Sequence, residues 1–166
     1  MRTTTRVSAA LAVILSLAAS AAQAQSANIT ATAVVFQAMT VTGARTLDFG
    51  NVFPGVAKSI AVAAATSGRF DLTGQASANV NVSFTLPATL SDGGVNTLPI
   101  GSYTGCTNAT NTTAGCTVFT PSAATTATAF SGAGALFVWV GGTVTPGAAQ
   151  AAGTYNGTVT LTAAYF

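Results

Sequence analysis

The segment from Thr158 to Tyr165 alternates almost without fault. Val159, Leu161, Ala163 and Tyr165 fall on one side; Thr158, Thr160, Thr162 and Ala164 fall on the other. A period of two with β-branched residues is the signature of a half-buried strand. No turn signal separates this strand from Phe166. Its second neighbour is therefore expected from elsewhere, because a bare strand edge invites pairing with another chain.

The N-terminal residues read as a leader. Arg2 and Arg6 precede an apolar run from Ala9 to Ala19, and Ala22-Gln23-Ala24 has the small-x-small form of a cleavage site. This is the layout of a secretory signal peptide over residues 1–24, with a mature chain beginning at Gln25. The run is too short to span a bilayer comfortably as an anchor. No integral membrane span is expected after the leader is removed.

Without the leader, Arg45, Lys58 and Arg69 balance Asp48, Asp71 and Asp92, and the chain has no Glu and no His. A neutral balance speaks against nucleic acid, whose binding depends on neutralising phosphates. Charge also keeps soluble proteins apart. So little of it suits a subunit whose surface meets other subunits. The 142 residues from Gln25 are enough for one domain with a real core. Their wealth of Thr and Val favours strands over helices.

Cys106 and Cys116 are the only cysteines, and they flank a polar segment with turn character. In an exported chain this spacing reads as a disulfide. Closing so short a loop contributes about 2–3 kcal/mol by the chain-entropy relation. A metal site would need further ligands, and there is neither a His nor a third Cys. No cofactor is expected.

Ser26 to Thr42 is a long, uncharged, extended-looking segment. Ile29, Ala31, Ala33 and Val35 form one apolar row; Val34, Phe36 and Ala38 form another. Further strands are expected at 59–64, 68–74, 79–86 with Val80, Val82, Phe84 and Leu86 inward, 95–103, and 117–120. A surface loop is expected over 121–134. Ala135 to Val140 reads as a central strand that Gly141-Gly142 break or bend and Thr143-Val144-Thr145 continue. Short strands separated by turn signals point to an all-β, two-sheet sandwich.

Three landmarks carry a resemblance. Leu47-Asp48-Phe49-Gly50 is followed by Pro54-Gly55; Val140-Gly141-Gly142-Thr143-Val144 is the second; Gly153-Thr154-Tyr155-Asn156-Gly157-Thr158-Val159, running into the alternating strand, is the third. Together they resemble the bacterial family called domain of unknown function 4402, itself similar to spore coat U domains and to subunits of chaperone–usher pili. The resemblance covers most of residues 26–166. It implies an immunoglobulin-like β-sandwich lacking one strand. That strand would come first from a periplasmic chaperone and then, at the outer-membrane usher, from the N-terminal extension of another subunit. In this β-strand addition, backbone hydrogen bonds give affinity and alternate side chains fill a groove.

On that reading residues 25–43 are the N-terminal extension and 44–166 the sandwich. Ile29, Ala31, Ala33, Val35 and Phe36 are the donor residues. Val159, Leu161, Ala163, Tyr165 and Phe166 line the acceptor groove and meet the chaperone. Burying four or five donor side chains is worth on the order of 6–15 kcal/mol before ordering costs. The expected product is a structural subunit of a bacterial surface fibre, exported through the periplasm, for adhesion or biofilm formation. The alternative is a monomeric secreted or periplasmic β-sandwich binding module whose own N-terminal strand closes the fold.

Other readings fit the residues less well. Phe166 raises an outer-membrane barrel, but the row in register with it is Ala164, Thr162, Thr160 and Thr158, which is polar where lipid demands apolar side chains. General acid–base chemistry draws mostly on His, Glu, Asp, Lys, Tyr or Cys. His and Glu are absent, so no enzyme is expected. Asp48 is expected to bond nearby backbone amides, and Asp71 to pair with Arg69 along a strand. Trp139, set in Leu136-Phe137-Val138-Trp139-Val140, is expected in the core rather than as an exposed platform for a sugar. Asn156-Gly157 is expected to bend a strand rather than to turn a hairpin.

Overall fold

The computed structural model describes residues 25–166. The leader read over residues 1–24 lies outside them. Contact density divides the chain at Val34/Val35. Residues 25–34 carry no regular structure and are exposed throughout.

From Val35 onward the chain is all-β. Ten strands follow in order: β1 (Thr40–Arg45), β2 (Lys58–Ile60), β3 (Gly68–Thr73), β4 (Asn79–Thr85), β5 (Thr89–Ser91), β6 (Thr97–Asn108), β7 (Thr117–Phe119), β8 (Thr126–Ala129), β9 (Ala135–Val144) and β10 (Thr160–Tyr165). They form two antiparallel sheets. The larger runs β1-β3-β9-β6-β5, with β2 on the far half of β9 and β7 on β6; the smaller runs β10-β4-β8. The expected two-sheet sandwich is present.

Its core lies where the inward rows meet. Leu72 from β3 and Leu136, Val138 and Val140 from β9 face Val80, Val82 and Phe84 from β4 and Leu161 from β10. A second cluster of Phe49, Leu98, Ile100 and Val144 fills one end. β9 is apolar on both faces, because Trp139 on its outer side is also buried, at 3% exposure. Trp139 lies opposite Cys106 on one neighbour and Arg69 on the other. Arg69 Nη1 donates to Asn111 Oδ1 at 3.0 Å, so the disulfide loop reaches across β9 over the indole. The Cys106–Cys116 bond closes that loop with Cα atoms 5.8 Å apart.

Three local expectations need correction. Gly141 and Gly142 stay inside β9 rather than breaking it. A Cβ on Gly141 would meet Thr104 Oγ1 and the Ile60 carbonyl, so a crossing segment requires the small residue there. The strand expected over 59–64 ends at Ile60, and turns follow. The run Ala61 to Ala65 is mostly Ala, a weak strand former with little side chain to pack. Finally, 121–134 is not all loop. β8 pairs Asn79–Val82 of β4, and Phe130 plugs the core. Its Thr-Ala-Thr-Ala sequence offers no apolar contrast to mark a strand.

Tyr103 touches both core clusters and donates its hydroxyl to the Pro87 carbonyl at 2.7 Å. Burial pushes its phenol up to about 12. An unfolded Tyr ionises near pH 10, in the range of about 10 for model peptides. Above that pH the unfolded state loses a proton that the folded state keeps. Stability contributed by this group is whole below pH 10 and is lost as pH rises toward 12. A urea midpoint measured from pH 8 to 12 is expected to fall only above 10. Tyr103→Phe should remove part of that fall.

Candidate strand-acceptor site

Among the described residues, β10 has one strand neighbour, β4, and β1 has one, β3. Their other edges are open. A cleft of about 830 Å³ opens between two walls: the end of β1 with the segment that follows it, and the run from Gly153 to Val159 that leads into β10. Leu47, Phe49, Phe53, Tyr155 and Val159 line it, and Phe70, Ile100 and Val140 reach it from the larger sheet. The lining mixes these apolar side chains with Arg45, Asp48, Asn51 and Asn156, and it ends at Val159, just before β10 begins. β8, at the opposite edge of the smaller sheet, presents only Thr and Ala.

Local chemistry holds the walls. The Asp48 carboxylate accepts the Gly50 amide at 2.7 Å and tightens the turn after Phe49. Gly50 sits at φ +56°, in the left-handed region that glycine adopts readily. Arg45 donates through Nε to the Ser67 carbonyl and through Nη2 to Ser67 Oγ, both at 2.6 Å. Its charge is thereby tied to the rim. On the opposite wall Asn156 exchanges both backbone bonds with Ser91 at 2.8 Å, which stitches the approach to β10 onto β5. Gly157 then passes Leu90 and Pro87 so closely that a Cβ would stand 2.6 Å from Leu90 Cδ2. Asn156-Gly157 forms no hairpin turn, and it lies ahead of β10 rather than inside it, held by the Ser91 bridge.

Of the acceptor residues named from sequence, Val159 lines the cleft, whereas Leu161, Ala163 and Tyr165 alternate along β10 and Phe166 follows it, all four outside the cleft lining. Leu161 is buried; Val159, Ala163 and Tyr165 are half-buried; Thr160, Thr162 and Ala164 point out. Phe166 is exposed. Of the donor residues, Ile29, Ala31, Ala33 and Val35 are exposed and outside any strand. Phe36 is set apart, with its ring edge-on to Tyr165 at 5.1 Å. β1 begins at Thr40, inside the segment read as the extension over 25–43, and pairs Thr40 with Thr73.

Sequence reasoning missed the wall formed by Leu47, Phe49 and Phe53. The available signal is the alternation of Leu47 and Phe49, whose spacing of two puts both side chains on one face.

The aspartates are dispersed. Asp71 takes a two-pronged bond from Arg69 at 2.7 and 2.9 Å on the outer face. Asp92 lies in the β5–β6 turn. There the Asn96 side chain, followed by the Gly94 amide, holds its carboxyl below the usual range. Among the described residues no three of His, Cys, Asp and Glu gather as a metal site, and no helix is long and apolar enough to cross a membrane.

The family model for the domain of unknown function DUF4402 matches residues 39–165. The chain belongs to the DUF4402 family. The DUF4402 match starts one residue before β1 and ends with β10, so it takes in both walls of the slot and leaves residues 25–38 outside. No curated protein and no solved structure matches the chain.

Proposed function

We propose that this DUF4402 domain is a structural subunit of a bacterial surface fibre, joined to its neighbours by donor-strand exchange. The observation that carries the reading is the unpaired edge of β10, with the partly apolar cleft at the start of that strand. An exposed strand edge next to apolar surface is a liability unless something covers it. The same chain supplies a matching ligand. Ile29, Ala31, Ala33 and Val35 are an alternating apolar row, free of secondary structure. Placing that row in a second copy's slot is worth on the order of 6 kcal/mol from side chains alone. The backbone ladder adds to this.

The rest of the reading follows from chemistry. A sandwich with an uncovered slot needs protection before assembly, which is the task of a periplasmic chaperone. An usher and export through the leader complete the route to the surface, where the fibre serves adhesion or biofilm formation. The near-absence of charge fits a surface that ends against other copies.

Sedimentation of the purified mature protein, without a chaperone and across rising concentration, tests this directly. A ladder of multimers is expected. A single monomeric species at the highest concentration reached would sink the proposal and favour the self-closed binding module.

A further inference from the structure

The root of the N-terminal segment is fastened to the end of β10. Tyr165 Oη accepts the Gln75 amide at 2.7 Å and donates to the Gln37 carbonyl at 2.9 Å. The Gln37 amide donates to Gln75 Oε1 at 3.3 Å. Phe36 stands edge-on to the Tyr165 ring at 80°. Tyr165 packs in turn on Phe130, a core residue, with ring centroids 6.0 Å apart. Exposure falls from 90% at Val35 to 47% at Phe36. Met39, just beyond, already packs on the core.

Strand periodicity separates the same two residues. Side chains two apart share a face. Ile29, Ala31, Ala33 and Val35 therefore form one row, and Phe36 belongs to the other. A slot that takes the Ile29–Val35 row has no place on that face for Phe36.

We infer that Phe36 and Gln37 are an anchor in cis: a second copy receives residues 25–35 only, while Phe36 stays on Tyr165 of its own chain. The anchor stands on the bonds above; its consequence for the fibre rests on the donor-strand reading. It leaves no slack between donor and domain, so neighbouring subunits would be held at a short, fixed spacing.

Two measurements on the full mature chain test it. The first follows chymotrypsin cleavage after Phe36 by mass spectrometry, in the wild type and in Tyr165→Phe. That variant keeps the ring and loses the hydroxyl bonds. Cleavage is expected to quicken roughly tenfold, as loss of hydrogen bonds holding the site would dictate. Cleavage at the buried Phe84 should stay slow and report an intact sandwich. An unchanged rate after Phe36 would overturn the anchor.

The second compares assembly of Phe36→Ala with that of Val35→Asp. Phe36→Ala is expected to retain multimers. Loss of assembly as complete as in Val35→Asp would make Phe36 part of the transferred strand and overturn the inference. If the wild type itself never assembles, the donor-strand reading fails, and the proteolysis still decides the anchor.

Discussion

Mature protein carrying Val35→Asp is expected to fold normally and to lose association by at least about a thousandfold. Val35 is 90% exposed in its own chain. Surface substitutions of that kind change stability within about 0.5 kcal/mol. The cost appears only when the residue enters a neighbour's slot. An unpaired carboxylate among Leu47, Phe49 and Phe53 loses its water and finds no cation free to replace it. The nearby cations are already hydrogen-bonded, Arg45 to Ser67 and Lys58 to the Asn51 carbonyl. Stranding a charge in this way costs several kcal/mol, and about 4 kcal/mol is a thousandfold in affinity. Sedimentation reads the association, and a urea midpoint reads the fold. Association equal to wild type, with the fold intact, would remove Val35 from the interface. Deletion mutants should stop at Val35. A cut through Thr42 removes half of β1 and its pairing with β3, and would unfold the domain for an unrelated reason.

Trp139→Ala is expected to cost about 3–5 kcal/mol of stability, the usual range for a large buried aromatic. That is a large share of the roughly 5–15 kcal/mol by which domains are stable. The indole is 3% exposed and packs beside Phe137, with ring centroids 6.1 Å apart. It lies beneath the loop that Cys106–Cys116 closes and Arg69 pins through Asn111. Truncation would leave a void under the loop and loosen both. A fall in the urea midpoint of the oxidised protein checks this. A platform for a ligand would behave in the opposite way, leaving stability unchanged and abolishing binding.

The parts of the fold legible beforehand were those where side-chain contrast is strong. Val80, Val82 and Phe84 alternate with Asn79, Asn81 and Ser83, and β4 is there. Leu136 to Val140 is apolar throughout because both faces of β9 are covered, one by the smaller sheet and one by the disulfide loop. Trp139 was read as buried, but its covering is not the sandwich interior. β8 escaped notice because Thr and Ala alternate without contrast, and only its backbone pairing with β4 makes it a strand. The strand expected beyond Ile60 failed for the related reason that an Ala run packs too little surface to hold an extended chain.

The slot divides along the same line. Which β10 residues face inward was legible, because alternation is a local property of two-residue period. So were the disulfide, from two cysteines at short spacing, and the wholly β character, from Thr and Val without Glu. The other wall was not legible. That Leu47 and Phe49 stand across from Val159, that Asn156 is tied to Ser91, and that Tyr165 holds Gln37 are contacts between residues tens to more than a hundred positions apart. Local pattern sets which way a side chain points. Only packing of the two sheets sets what it points at, and so it was the tertiary structure that decided where the sandwich stays open.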